Sequence, residues 1–160
     1  MDKNGEKNMR IRKANPKDCK KIAELRKDTF EKINAIEHTK KQITELNKMN
    51  PPEVILKKMR ERDMFCLIEK NKILGVIDLE GNKIGGFFIK YKYIRKGYGT
   101  ILMNFIENYA RKKGIKKVIL YSTKYAYPFY IKMDYKPSKA FKKDKPFLTK
   151  YFSKKLEKYL

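Results

Sequence analysis

Tyr93-Ile94-Arg95-Lys96-Gly97-Tyr98-Gly99-Thr100 joins a strand-like segment (84–90) to a long helix-like one (99–113). Glycine permits tight backbone bends and a close approach to a ligand. The helix that follows turns its unpaired first-turn N–H groups, and the positive end of its dipole, toward that bend. Such a turn suits phosphate or pyrophosphate, and Arg95 and Lys96 add fixed positive charge beside it. Two other phosphate motifs are excluded. A dinucleotide fingerprint needs a third glycine where Leu102 stands, and a P-loop needs Gly-Lys-Ser/Thr after four intervening residues.

On either side of the turn the hydrophobic period changes twice. Arg10–Lys13 alternates like a short strand and stops at Asn15-Pro16, where Asn15 or Asp18 can cap a helix. Ile22, Leu25, Phe30 and Ile33 then fall near helical spacing, Thr39 opens a second helix carrying Ile43 and Leu46, and 53–62 reads as a third. From residue 64 the period is that of strands: 64–69, 73–79 and 84–90 are separated by Asn71-Lys72 and Gly81-Asn82, the turn chemistry of an antiparallel meander. After the glycine turn, Leu102, Phe105, Ile106, Tyr109 and Ala110 make a continuous apolar stripe that ends at Gly114. Residues 117–121 read as a strand, 127–133 as a short helix, and 135–138 and 147–153 as closing strands. The pattern is α+β, a mixed and mostly antiparallel sheet flanked by helices.

With 160 residues the chain is expected to be one domain over 9–160, preceded by a frayed, polar 1–8. It has no apolar run of the length a membrane span needs and no apolar core of a signal peptide near Met1. Cys19 and Cys66 make neither a disulfide framework nor a zinc site, no metal is expected, and the chain reads as cytoplasmic. Charge is lopsided. Residues 1–80 hold 20 Lys/Arg against 14 Asp/Glu, whereas 81–160 hold 21 against 4, a net of +17 in that half. A field of this sign attracts polyanions, satisfied by an anionic cofactor or by RNA.

Set beside Ala126-Tyr127-Pro128-Phe129-Tyr130-Ile131-Lys132-Met133-Asp134-Tyr135, the glycine turn resembles the GNAT superfamily of N-acyltransferases. That family's acyl-coenzyme A motif reads Gln/Arg-x-x-Gly-x-Gly/Ala, matched here by Gly97 and Gly99; its second motif, Ala-x-x-Phe-Tyr-x-x-x-Gly-Phe/Tyr, is matched by Ala126, Phe129, Tyr130 and Tyr135. Two positions depart: Ile94 stands at Gln/Arg, and Asp134 stands at glycine, where aspartate tolerates the left-handed region better than most residues.

The resemblance implies transfer of an acetyl group from acetyl-CoA to an amine. Backbone N–H groups of Arg95, Lys96, Gly97, Tyr98, Gly99 and Thr100 would hold the pyrophosphate, an N–H near Phe88–Ile89 would polarise the carbonyl, and Tyr130 would act as general acid. The family position for a glutamate base holds Lys83, which leaves Asp78 and Glu80 as candidate bases. His38, the single histidine, lies in a loop that borders the acceptor cleft in the family. A homodimer through the C-terminal strands is the family's habit. Three readings stay open: an N-acetyltransferase of a small amine, amino acid or peptide terminus; an acetyltransferase of aminoacyl-tRNA or another RNA; and a non-catalytic nucleic-acid-binding or regulatory protein with the same fold.

Overall fold

Capping chemistry fixes where the helices begin. Strand β1 (Met9–Lys13) runs into a single 3-10 turn at Pro16–Asp18, where the Asn15 side chain accepts from the Lys17 N–H at 3.0 Å and the Asp18 carboxylate accepts from the Asn15 N–H at 2.8 Å. Helix α1 (Cys19–Lys32) follows. Thr39 caps α2 (Lys40–Lys48) through a reciprocal pair: the Gln42 N–H donates to Thr39 Oγ1, and the Thr39 N–H donates to Gln42 Oε1. Pro52 stands at the first position of α3 (Pro52–Glu61), as proline's preset φ favours. These are coordinates of a computed structural model, which describes residues 8–139, 152 and 154–160.

The strands that follow are β2 (Asp63–Glu69), β3 (Lys72–Glu80), β4 (Lys83–Ile89), β5 (Lys117–Ser122), β6 (Lys136–Pro137) and β7 (Lys154–Tyr159), with helices α4 (Tyr98–Lys112) and α5 (Tyr127–Lys132) between them. They form one sheet in the order β1-β2-β3-β4-β5-β7-β6, antiparallel throughout except where β4 meets β5. The expected meander, mixed sheet and α+β class all hold. The two hairpins are tight two-residue turns; Lys70 and Asn71 both have positive φ, the backbone that a type I′ turn requires.

Helices cover both faces. On one face α4 lays Leu102, Met103, Ile106 and Ala110 over Leu74, Ile77, Leu79 and Ile84 of the central strands, joined by Val118, Leu120, Tyr130, Tyr135 and Leu156. On the other, α1 and α3 bury Ile22, Leu25 and Ile55 against Met64, Cys66 and Val76. Cys66 is accordingly a small core residue, and burial pushes its thiol up to about 12, far from a reactive thiolate.

One expectation changes. The closing strand foreseen at 147–153 lies outside the described residues apart from Phe152, and the last strand described is β7. Its sequence, Lys-Lys-Leu-Glu-Lys-Tyr, buries one side chain fully, Leu156, so it carries too little alternation to read as a strand. Among the described residues no helix is long and apolar enough to cross a membrane.

Candidate active site

Parallel strands β4 and β5 are registered at one pair, Lys83 with Ile119, and beyond it β4 continues to Ile89 paired only to β3. The open side of β4 therefore faces a gap. Its backbone there is shaped by a bulge: Val76 pairs with Phe88 and Asp78 with Gly85, so two residues of β4, Gly86 and Phe87, oppose Ile77 alone. Gly86 takes a φ of 54°, which a side chain would oppose. The extra residue explains how Ile84 and Phe87, three apart, both face α4.

Alternation along an antiparallel pair now assigns the amides. The Lys90 N–H donates to the Leu74 carbonyl at 2.7 Å, so two residues back the Phe88 amide also points to β3. Phe87 and Ile89 point the other way, into the gap. Of the two residues expected to polarise the substrate carbonyl, Ile89 has its N–H so directed and Phe88 does not. Phe87 was missed, because a bulge made by Gly85-Gly86 cannot be counted from sequence.

At the end of β4 the chain makes a 3-10 turn at Tyr91–Tyr93 and enters the glycine turn. Arg95 has a φ of 63° and Gly97 a φ of 86°, and Gly97 caps α4 without any side-chain hydrogen bond. Left-handed residues alternating with ordinary ones curl successive N–H groups toward one point, a concavity suited to an anion. The N–H groups of Arg95, Gly97, Tyr98, Gly99 and Thr100 have no partner among the described residues, while that of Lys96 closes the turn over Ile94 and Arg95. Arg95, Lys96 and Thr100 are exposed; Ile94 keeps an extended backbone, and its aliphatic side chain brings no polar group to the turn. A non-glycine residue in the left-handed region, such as Arg95, costs roughly 1–2 kcal/mol, and strain of that kind gathers at ligand clamps. Gly99 lies where an added Cβ would be 3.3 Å from the Phe87 ring, so the helix start sits close against β4.

Tyr130 packs in the core on the α4 face, next to Phe87 of β4. It is buried, with its ring 6.3 Å from Phe87, 5.3 Å from Phe129 and 5.8 Å from Tyr135, centroid to centroid. Burial pushes its phenol well above the usual tyrosine range, so it stays protonated at neutral pH. Asp134 adopts a φ of 67°, the left-handed role that its place in the motif required, and lets Tyr135 return beneath α5.

The remaining candidates lie apart. Glu80 is at the β3–β4 hairpin, 43% exposed at its side chain, and ion-paired to Arg62 Nε at 2.6 Å. Glu80 is thus a carboxylate beside a turn in solvent, whereas Asp78 is 0% exposed on the α1 face with Arg26 and Arg62 about it. Tyr130 belongs to the core on the opposite face, so the structure does not bring Asp78 or Glu80 together with it. His38 follows the 3-10 turn Asn34–Ile36, in a loop whose Glu37 Oε2 accepts from the Tyr125 N–H at 3.2 Å. That bond ties the α1–α2 loop to the β5–α5 loop. Among the described residues no group of three His, Cys, Asp or Glu side chains is placed to hold a metal ion.

Residues 34–149 match the family model described as the acetyltransferase (GNAT) domain. Among solved structures, the chain is similar to PaiA N-acetyltransferase from Thermoplasma acidophilum in complex with coenzyme A, at 20% identity over 95% of this chain and 99% of that one, TM-score 0.80. A GCN5-related N-acetyltransferase from Rhodopseudomonas palustris matches over 96% of both chains at 15% identity, TM-score 0.83. N-acetylglutamate synthase from Neisseria gonorrhoeae, complexed with coenzyme A and N-acetyl-glutamate, has a TM-score of 0.70 at 17% identity, over 95% of this chain and 35% of that one. No curated protein matches the sequence.

Proposed function

We propose that this chain, which belongs to the GNAT acetyltransferase family, moves an acetyl group from acetyl-CoA to a primary amine by direct attack, with residues 9–160 as its single domain. The observation that carries the reading is the run of unpartnered N–H groups from Gly97 to Thr100 at the start of α4, next to strand β4, whose Phe87 ring packs on Tyr130. Those amides and the α4 dipole fit a pyrophosphate without any side chain. Acetyl-CoA supplies an activated thioester carbonyl.

The chain's own groups then divide the work. The amides of Phe87 and Ile89 donate to the carbonyl oxygen as it gains negative charge, which favours the transition state over the ground state. Tyr130 gives its proton to the departing thiolate sulfur, and the proton lost by the attacking nitrogen restores the phenol; a phenol raised by burial holds its proton at neutral pH and above. The acceptor must arrive neutral. An α-amine, near 8, is partly neutral already, whereas a lysine side chain near 10.4 is not. A net charge of +23 repels polybasic peptides and favours small amines, amino acids and neutral or acidic peptide termini.

Turnover of acetyl-CoA against a panel of amino acids and simple alkyl and aromatic amines tests the reading. Tyr130→Phe is expected to lower kcat about 10²-fold or more with unchanged coenzyme A affinity. Equal turnover in the two proteins would remove Tyr130 from the chemistry.

A further inference from the structure

The bulge that aims the Phe87 and Ile89 amides rests on buried charges that the reaction does not use. Asp78 Oδ2 lies 3.9 Å from Arg26 Nη2, and Asp78 Oδ1 lies 3.7 Å from Arg62 Nη1. Both carboxylate oxygens are buried without a hydrogen-bond partner, as are Nε and Nη2 of Arg26. Around them, Arg26 Nη1 and Lys58 Nζ each donate to Asn50 Oδ1 at 3.1 Å, the Arg26 guanidinium lies 5.2 Å from the Phe88 ring centroid, and Arg62 reaches out to Glu80.

Stability is a poor reason for such a group. Well-packed apolar residues of the same volume are commonly as stable as a buried ion pair, or more so. Position is a better one. A Cβ built on Gly86 would collide with the Asp78 carboxylate and stand 2.7 Å from Arg26 Nη2. The pair fills the space on the α1 side of the bulge, at the residue that must hold a positive φ. Phe88, two residues on, is the face on which the same guanidinium stacks. One side chain of α1 thus touches β4 both at the bulge and just past it.

We propose that Arg26 and Asp78 are positioning residues for acetyl transfer: they hold the β4 bulge at Gly86, and through it the Phe87 and Ile89 amides, in the geometry that receives charge from the acetyl carbonyl. The proposal rests on the acetyltransferase reading. Neither side chain touches cofactor or acceptor. Their effect falls on kcat, because amides aimed at a developing charge act in the transition state and little in the bound ground state.

The test neutralises both charges together with Arg26→Met and Asp78→Asn in one protein, and separately shortens the cation with Arg26→Lys, which keeps the pair charged and the fold supported. With the fastest amine of the panel, the double variant is expected to lose at least tenfold in kcat and Arg26→Lys several-fold, each with coenzyme A affinity unchanged. Backbone amide resonances of Phe87 and Ile89 give a readout without turnover. In the wild type they shift between the coenzyme A and acetyl-CoA complexes, and in the double variant that difference shrinks. Wild-type kcat in both variants, with the spectral difference intact, overturns the proposal alone. A wild type that binds no acetyl-CoA overturns the acetyltransferase reading and this proposal with it.

Discussion

Two buried acids on opposite faces of the sheet differ in how they are met. Glu107 of α4 accepts from Tyr135 Oη at 3.0 Å and from Lys158 Nζ at 3.0 and 3.1 Å. Asp78 of β3 has two guanidinium groups nearby and hydrogen bonds from neither. A buried acid with its oxygens bonded is a structural tie, here fastening the α5–β6 link and β7 to α4. One left with charge but no bonds is costly to keep. Its retention beside Gly86 directs attention to the bulge, and the α1 face becomes the side on which the strand's shape is set.

The comparison breaks most easily on stability. Asp78→Asn leaves Arg26 buried without its counter-charge and is expected to cost about 3–5 kcal/mol in denaturant unfolding. Glu107→Gln keeps an acceptor for Tyr135 and leaves Lys158 near solvent, so about 1–3 kcal/mol is expected. A larger loss at Glu107 than at Asp78 would invert the contrast.

Backbone strain at the cofactor turn ranks next. An added Cβ at Gly97 meets nothing within 4 Å, so Gly97→Ala acts through its φ of 86° alone. The expected cost is about 1–2 kcal/mol in stability, together with weaker acetyl-CoA binding by calorimetry. Unchanged affinity would detach this turn from the pyrophosphate.

Two titrations sharpen the contrast further. Asp18, on the edge of the α1 face, accepts from Arg12 at 2.7 and 3.0 Å, and that pairing holds its carboxyl below the usual range. A depressed acid stabilises the fold above its unfolded value and loses that contribution as pH falls through the folded one. Acid unfolding of Arg12→Ala should therefore begin at higher pH than in the wild type, and coincident acid limbs would contradict the pairing. Lys58 differs in that the fold disfavours its charged form. Burial, then Arg26 and Arg62, lowers its ammonium to about 8. Between that value and its unfolded one near 10.4 the unfolded chain binds the extra proton, so stability attributable to Lys58 rises with pH. Lys58→Met should stabilise the protein at pH 7 and gain less at pH 10, by thermal unfolding at each pH.

Much of this was legible in the chain. Asn15, Thr39 and the hairpin turns announced their elements because capping and turn chemistry are local. The spacing of Gly97, Gly99, Ala126, Phe129 and Tyr130 announced the family for the same reason, since each motif is a short contiguous turn and helix start. What stayed hidden is non-local. The Gly86 bulge exists only as a register between β3 and β4, so the Phe87 amide could not be found, and Asp78 stood as a candidate base because its burial with Arg26 and Arg62 depends on α1 and α3, far off in sequence. Lysine-rich β7 gave no strand pattern because β5 and β6, not its own alternation, hold it.

Calorimetric titration of acetyl-CoA at low and at high salt tests the central claim most directly. The account predicts saturable binding at one site that persists at high salt, since shaped backbone amides hold the ligand. Heat that vanishes steeply as salt rises would mark nonspecific attraction of a polyanion to a basic surface, and would contradict it.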